Sequence, residues 1–192
     1  MIHIDQIATK PGLEAKPTLH RPADHLLACH RRIEERLDIL EMAAFQLPNR
    51  REEALTAMGN VFRFFESNGT WHTADEEDSI FPRLRGRLDN AEVQLLNGLE
   101  MEHRQVEVLY ADVKDFYTEL VTLPIGPAEA MIEPLQNSIM RLHELYRNHI
   151  TKEDSNLIPL IRKILDEDQL AIVAEEMRSR RGLIPHEGLR SQ

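Results

Sequence analysis

Apolar residues recur every three or four positions along most of this chain, the spacing that lays one stripe down the side of an α-helix. Four long stripes stand out. The first runs through Leu26, Ile33, Leu37, Leu40, Ala44 and Leu47, between Pro22 and Pro48. The second begins after Pro48 and Asn49, passes Val61, Phe65 and Ile80, and predicts a helix reaching about Leu88. A third, from Asn90 to the break at Leu123-Pro124-Ile125-Gly126-Pro127, carries Leu99, Val106, Tyr110, Val113, Tyr117 and Leu120. The fourth starts at Ala128 and carries Leu135, Ile139, Leu142, Tyr146 and Leu157. A shorter amphipathic helix over 167–180, with Leu170, Val173, Ala174 and Met177 inward and a frayed end after Arg180-Arg181-Gly182, is expected to cap the assembly. Residues 1–22 contain Pro11, Pro17 and Pro22 with no sustained period and read as an irregular arm.

Short connections between long amphipathic helices predict an all-α fold, an antiparallel up-down-up-down four-helix bundle. The expected division is an arm over 1–22, the bundle over 23–165, and a capping helix and tail over 166–192. Within the second helix, Asn68-Gly69 predicts a kink, while Pro82 and its counterpart Pro159 predict locally loosened turns.

The stripes are interrupted by polar residues in core slots. His30, His72, His103 and His149 each occupy such a slot, as do Glu76 and Glu153. Two of these histidines lie in a repeated stretch, Trp71 to Pro82 and Asn148 to Pro159, in which Glu follows His by four residues and Pro follows it by ten. Four residues on a helix bring both side chains to one face, where they can reach a single ion. Two such faces imply two ions.

Depth agrees with this reading. His30 stands eighteen residues before Pro48 and His72 twenty-four after it; His103 stands twenty-one before Pro124 and His149 twenty-five after. In antiparallel hairpins those mismatches amount to roughly 6 to 9 Å at the helical rise, so all four histidines fall in one layer. Four imidazoles and two carboxylates in a core would cost several kcal/mol per unpaired group. Two divalent ions would satisfy them and leave room for a bridging oxide or hydroxide. Histidine with carboxylate and no thiolate suits iron, ahead of manganese or zinc.

Every one of the four histidines has a Glu four residues later, but only Glu76 and Glu153 sit in core slots. Glu34 and Glu107 are therefore expected behind the ligands or at the surface, and Tyr110 and Tyr146 are candidates to hydrogen-bond a ligand carboxylate or a bound oxygen species. His3, His20, His25, His143 and His186 fall outside the layer. Cys29 is expected to be a buried thiol.

Composition narrows the partners. A net charge of −10 argues against nucleic acid or an anionic membrane. A single cysteine excludes an intrachain disulfide framework and thiolate-rich metal sites and fits a reducing cytoplasm. No apolar run approaches the length of a membrane span.

Over about residues 24–165 the chain resembles the hemerythrin-like HHE cation-binding family, on His30 in His-Arg-Arg-Ile-Glu, His72 and Glu76 with Phe81-Pro82 after them, His103 in Glu-Met-Glu-His-Arg, and His149 with Glu153. The resemblance implies a four-helix bundle around a non-haem di-iron centre. Oxygen carriers of the family have a further histidine where this chain has Glu107, and an aspartate at the place of Asp154. That departure points away from simple oxygen carriage, toward binding or sensing dioxygen, nitric oxide or peroxide. Peroxide decomposition, iron handling, and a structural metal with the acidic surface or the arm binding a partner are the alternatives, and the arm is a candidate to mediate a homodimer. A ferritin-like centre needs Glu-x-x-His on two helices, and only Glu100 to His103 fits.

Overall fold

The structure, a computed structural model, describes residues 19–124 and 128–183. Among them the regular elements are all helical. α1 spans Pro22–Gln46, α2 Arg51–Phe64, α3 Thr70–Ala74, α4 Phe81–Arg85, α5 Asn90–Thr122, α6 Ile132–Lys152, α7 Ile158–Ile164 and α8 Glu167–Arg180. Three widened π-type turns join successive pieces: Phe65–Gly69 between α2 and α3, Asp75–Ile80 between α3 and α4, and Glu153–Leu157 between α6 and α7. α1 packs against α2 and α6, and α5 against α6 and, less extensively, α2.

Local sequence explains the boundaries. Pro22 occupies the first turn of α1, where a missing N–H costs nothing. α5 opens on a reciprocal cap, Glu92 N–H donating to Asp89 Oδ1 at 2.9 Å and Asp89 N–H to Glu92 Oε2 at 3.0 Å. α8 repeats the device with Asp166 and Gln169. The fourth long helix becomes regular at Ile132 rather than Ala128, and the second ends at Arg85 rather than Leu88. Most of the expected 1–22 arm, and residues 125–127 of the third break, lie outside the described residues.

The kink expected at Asn68-Gly69 takes the form of the first widened turn, and a Cβ on Gly69 would lie 3.1 Å from Phe65 Cδ1. Pro82 and Pro159 each sit in the first turn of the helix that follows a widened turn. A proline inside a helix removes one hydrogen bond and its ring crowds the carbonyl four residues back; widening the preceding turn relieves both problems. Glu76 and Glu153 lie inside those two turns.

The apolar core is divided in two. One cluster includes Ile33, Leu37, Phe62, Phe65, Val106, Val113, Leu135, Ile139 and Leu142. The other includes Leu26, Ile80, Phe81, Leu84, Leu96, Leu99, Leu157, Ile161, Val173 and Met177. On α1 the division falls between Leu26 and Ile33, on α5 between Leu99 and Val106, which in each case is the position of a histidine.

α8 does more than cap. It packs on the Asp75–Ile80 turn, and its last residues hold a carboxylate there that has 0% exposure. Arg181 clasps Asp75 with two hydrogen bonds, Nη2 to Oδ2 at 2.6 Å and Nη1 to Oδ1 at 3.1 Å, while its guanidinium lies 5.5 Å over the Trp71 ring. Arg180 also donates to Asp75, and to Ser79 Oγ at 3.0 Å. Arg83 from α4 pairs with Glu176 through two bonds of 2.7 and 3.0 Å. The helix closes at Gly182, whose φ of +67° lets Leu183 N–H donate to Arg178 O and its own N–H to Ser179 O; the frayed end expected after it lies outside the described residues.

Removing the cations from a buried carboxylate costs far more than removing the whole set. The double variant Arg180→Ala/Arg181→Ala is expected to lose about 3 to 5 kcal/mol in chemical denaturation, and adding Asp75→Ala should recover part of that loss. An equal or greater loss in the triple variant would contradict a buried, cation-dependent Asp75.

Candidate metal centre

Four separate stretches supply the polar layer. α1 contributes His30; α3 and the turn after it contribute His72 and Glu76; α5 contributes His103; α6 and the turn after it contribute His149 and Glu153. All six side chains are buried, and both glutamates have 0% exposure.

They form two groups that share both carboxylates. One ligating atom each from His30, His72, Glu76 and Glu153 lie within 4.8 Å of one another, and so do atoms from Glu76, His103, His149 and Glu153. Each glutamate turns one oxygen to each histidine pair. Glu76 Oε1 lies 3.6 Å from His72 Nε2 and 4.0 Å from His30 Nε2, and its Oε2 lies 3.2 Å from His103 Nε2. Glu153 Oε2 lies 3.1 Å from His30 Nε2, and its Oε1 lies 3.0 Å from His149 Nε2 and 4.0 Å from His103 Nε2. The rings pair likewise, His30 edge-on to His72 at 4.9 Å and His103 to His149 at 4.7 Å, with Phe81 stacked on His103 at 6.3 Å.

Both oxygens of Glu76 and of Glu153 lack a hydrogen-bond donor, and Nε2 of His30, His103 and His149 is also without a hydrogen-bond partner. Buried polar atoms converging on one point are costly unless a shared partner satisfies them. Cations suit this donor set, since they accept imidazole nitrogen and carboxylate oxygen together.

The outward nitrogens of three imidazoles are held by carboxylates. His30 Nδ1 meets Asp154 Oδ1 at 2.6 Å, His103 Nδ1 meets Glu77 Oε1 at 2.8 Å, and His149 Nδ1 meets Glu102 Oε2 at 3.0 Å. Such contacts fix ring orientation and raise ligand basicity. Glu34 and Glu107 belong to neither group of converging atoms; the first is half-buried and the second exposed. Tyr110 donates to the Phe62 carbonyl at 3.3 Å rather than to a ligand. Tyr146 packs on Phe65, and burial, with Tyr110 and then Glu153 and Glu76 adding, pushes its phenol pKa up.

Glu77, Glu102 and Asp154 lie off the helix stripes, each next to a ligand position and facing another helix, so stripe spacing does not single them out. The one available signal was the acidic run Asp75-Glu76-Glu77-Asp78. Its first three members go to three destinations: Asp75 to α8, Glu76 to the centre, Glu77 to α5. His25, expected to face away from the layer, is buried with Nε2 3.5 Å from Cys29 Sγ. Its pKa falls to about 3 through burial and the nearby Arg181 and Arg32. His143 lies outside the layer between Glu41 at 2.5 Å and Asp38 at 3.4 Å; His3 and His186 lie outside the described residues.

An all-helical fold with buried histidines and carboxylates converging from four stretches defines a metal-binding class of protein. Within that class the chain belongs to the hemerythrin HHE cation-binding domain family, whose pattern matches residues 21–161. Comparison with curated proteins finds no match. No helix among the described residues is long and apolar enough to cross a membrane.

In the metal-free protein, protons stand where cations would. Burial opposes charge on His30, but the neighbouring carboxylates of Asp154, Glu153 and Glu76 outweigh it and push the pKa up to about 12. Against the same opposition, Glu76 and then Glu77 push His103 up to about 9. The carboxyl of Glu76 is held well below its usual range: burial opposes the charge, and His72 and His103 outweigh it. Both His30 and His103 therefore hold protons near neutral pH that a metal must displace. Affinity for zinc, used as a redox-inert probe, is expected to rise as pH rises toward 9, by about tenfold per pH unit for each proton displaced. Calorimetric titration in buffers of different ionisation enthalpy measures the protons released, and a release of none would contradict this protonation state.

Proposed function

We propose that this chain is a di-iron protein of the hemerythrin type that binds or senses a small oxidant, dioxygen, nitric oxide or peroxide, in the cytoplasm. In this reading His30, His72, Glu76, His103, His149 and Glu153 are the metal ligands. They sit in an antiparallel up-down-up-down bundle over 23–165, flanked by the arm over 1–22 and the cap over 166–192. The observation that carries the proposal is the sharing of Glu76 and Glu153 between two histidine pairs, each carboxylate turning opposite oxygens to the two sides. Carboxylates so disposed suit a bridged pair of ions better than one ion.

His30 and His72 on one side and His103 and His149 on the other, with the shared Glu76 and Glu153, would hold the two ions and would leave room for a small external ligand. Bound iron supplies reversible electron transfer and a coordination site for such a ligand. The chain supplies the rest. Apolar clusters on both sides of the layer limit access of water, and Asp154, Glu77 and Glu102 hold three of the imidazoles in orientation. The exposure of Glu107 supports a centre with fewer nitrogen ligands than an oxygen carrier. Tyr146 favours a second reading, peroxide decomposition or iron handling: burial, with the nearby Tyr110, Glu153 and Glu76 adding, keeps its phenol protonated, a hydrogen-bond donor within reach of the field of the two glutamates.

Anaerobic loading with ferrous iron is expected to give two irons per chain, and exposure to air followed by azide a ligand-to-metal charge-transfer band. Absence of bound iron would sink the proposal, and iron without the band would sink the open ligand position. Continuous oxygen evolution from hydrogen peroxide would select the second reading over stoichiometric binding.

A further inference from the structure

Although the two histidine pairs share their carboxylates evenly, their surroundings differ. On one side, His103 and His149 both have their outward nitrogens held, by Glu77 and Glu102. Those two carboxylates are themselves braced by cations: Arg104 Nη1 lies 3.6 Å from Glu77 Oε1, and Lys152 Nζ donates to Glu102. On the other side only His30 is held, by Asp154, whose side chain is 43% exposed. His72 Nδ1 is buried and has no hydrogen-bond partner.

An imidazole with no outer acceptor is a poorer donor to a metal and is freer to turn.

Resting on the di-iron reading above, we infer that the two metal positions are unequal: the His103/His149 position holds its ion tightly, and the His30/His72 position exchanges its ion with the surroundings. The chain then passes through a defined one-ion state whenever ferrous iron is scarce, and the presence of the second ion reports iron supply. Loss of an outer carboxylate from a metal-bound histidine typically lowers affinity 10- to 100-fold, which sets the separation expected between the two steps.

Stepwise binding alone does not decide the matter, because two cations sharing carboxylates repel one another wherever they sit. The identity of the tight position does. Anaerobic titration of the full chain with ferrous iron against a competing chelator, with native mass spectrometry counting ions, is expected to resolve two steps about 10- to 100-fold apart. His72→Ala should keep one ion at the affinity of the wild-type first step, and His149→Ala should lose that step. Glu102→Gln and Glu77→Gln, which leave every ligand in place, should weaken the first step and narrow the gap; they also decide the question if a histidine variant fails to fold by circular dichroism. Two ions at equal affinity, or a tight step lost in His72→Ala and kept in His149→Ala, would overturn the inequality and leave the di-iron reading standing. Binding of no iron by the wild type would overturn both.

Discussion

A layer of four imidazoles and two carboxylates lies across the core of this protein, and the rest of the structure accommodates it. Solvation lost by Glu76 and Glu153 on burial must be replaced by something positive, whether protons on histidine or metal ions. The apolar residues respond by separating into two clusters, one on each side. The backbone responds as well, with widened turns at the two points where the glutamates enter.

Widened turns also explain why neighbouring acids can serve different purposes. In a plain helix the stripe residue faces the core and its neighbours face sideways. Here Asp75 is buried beside Glu76 and reaches α8, while Glu77 reaches His103 on α5; on the other half, Glu153 turns inward and Asp154 meets His30. The two halves agree at Glu77 and Asp154, each of which holds a histidine of another helix, and differ two residues earlier: Asp75 is buried against Arg180 and Arg181, whereas its counterpart Lys152 is exposed.

Much of this was legible from residue spacing, for physical reasons. Helix periodicity is a local property, so the seam at Leu26, Ile33 and Leu37, and the polar residue His30 within it, can be read without knowing any neighbour. Pro82 and Pro159 announce disturbed turns in the same way. Contacts between distant stretches cannot be read so. Asp154 with His30, Glu102 with His149 and Arg181 with Asp75 depend on how helices rotate against one another, and each lies off the stripe. Glu34 and Glu107 had the same four-residue spacing from a histidine as the true core pairs, yet their surface phase on the helix left them outside the converging atoms.

The grip of α8 on Asp75 also bears on how such a chain is made. Synthesis delivers His30, His72, His103 and His149 before Arg180 and Arg181, so the inner site can be assembled while the Asp75 carboxylate still lacks both its cations. The turn that carries Glu76 therefore gains both cations of Asp75 only once α8 and Gly182 have been made.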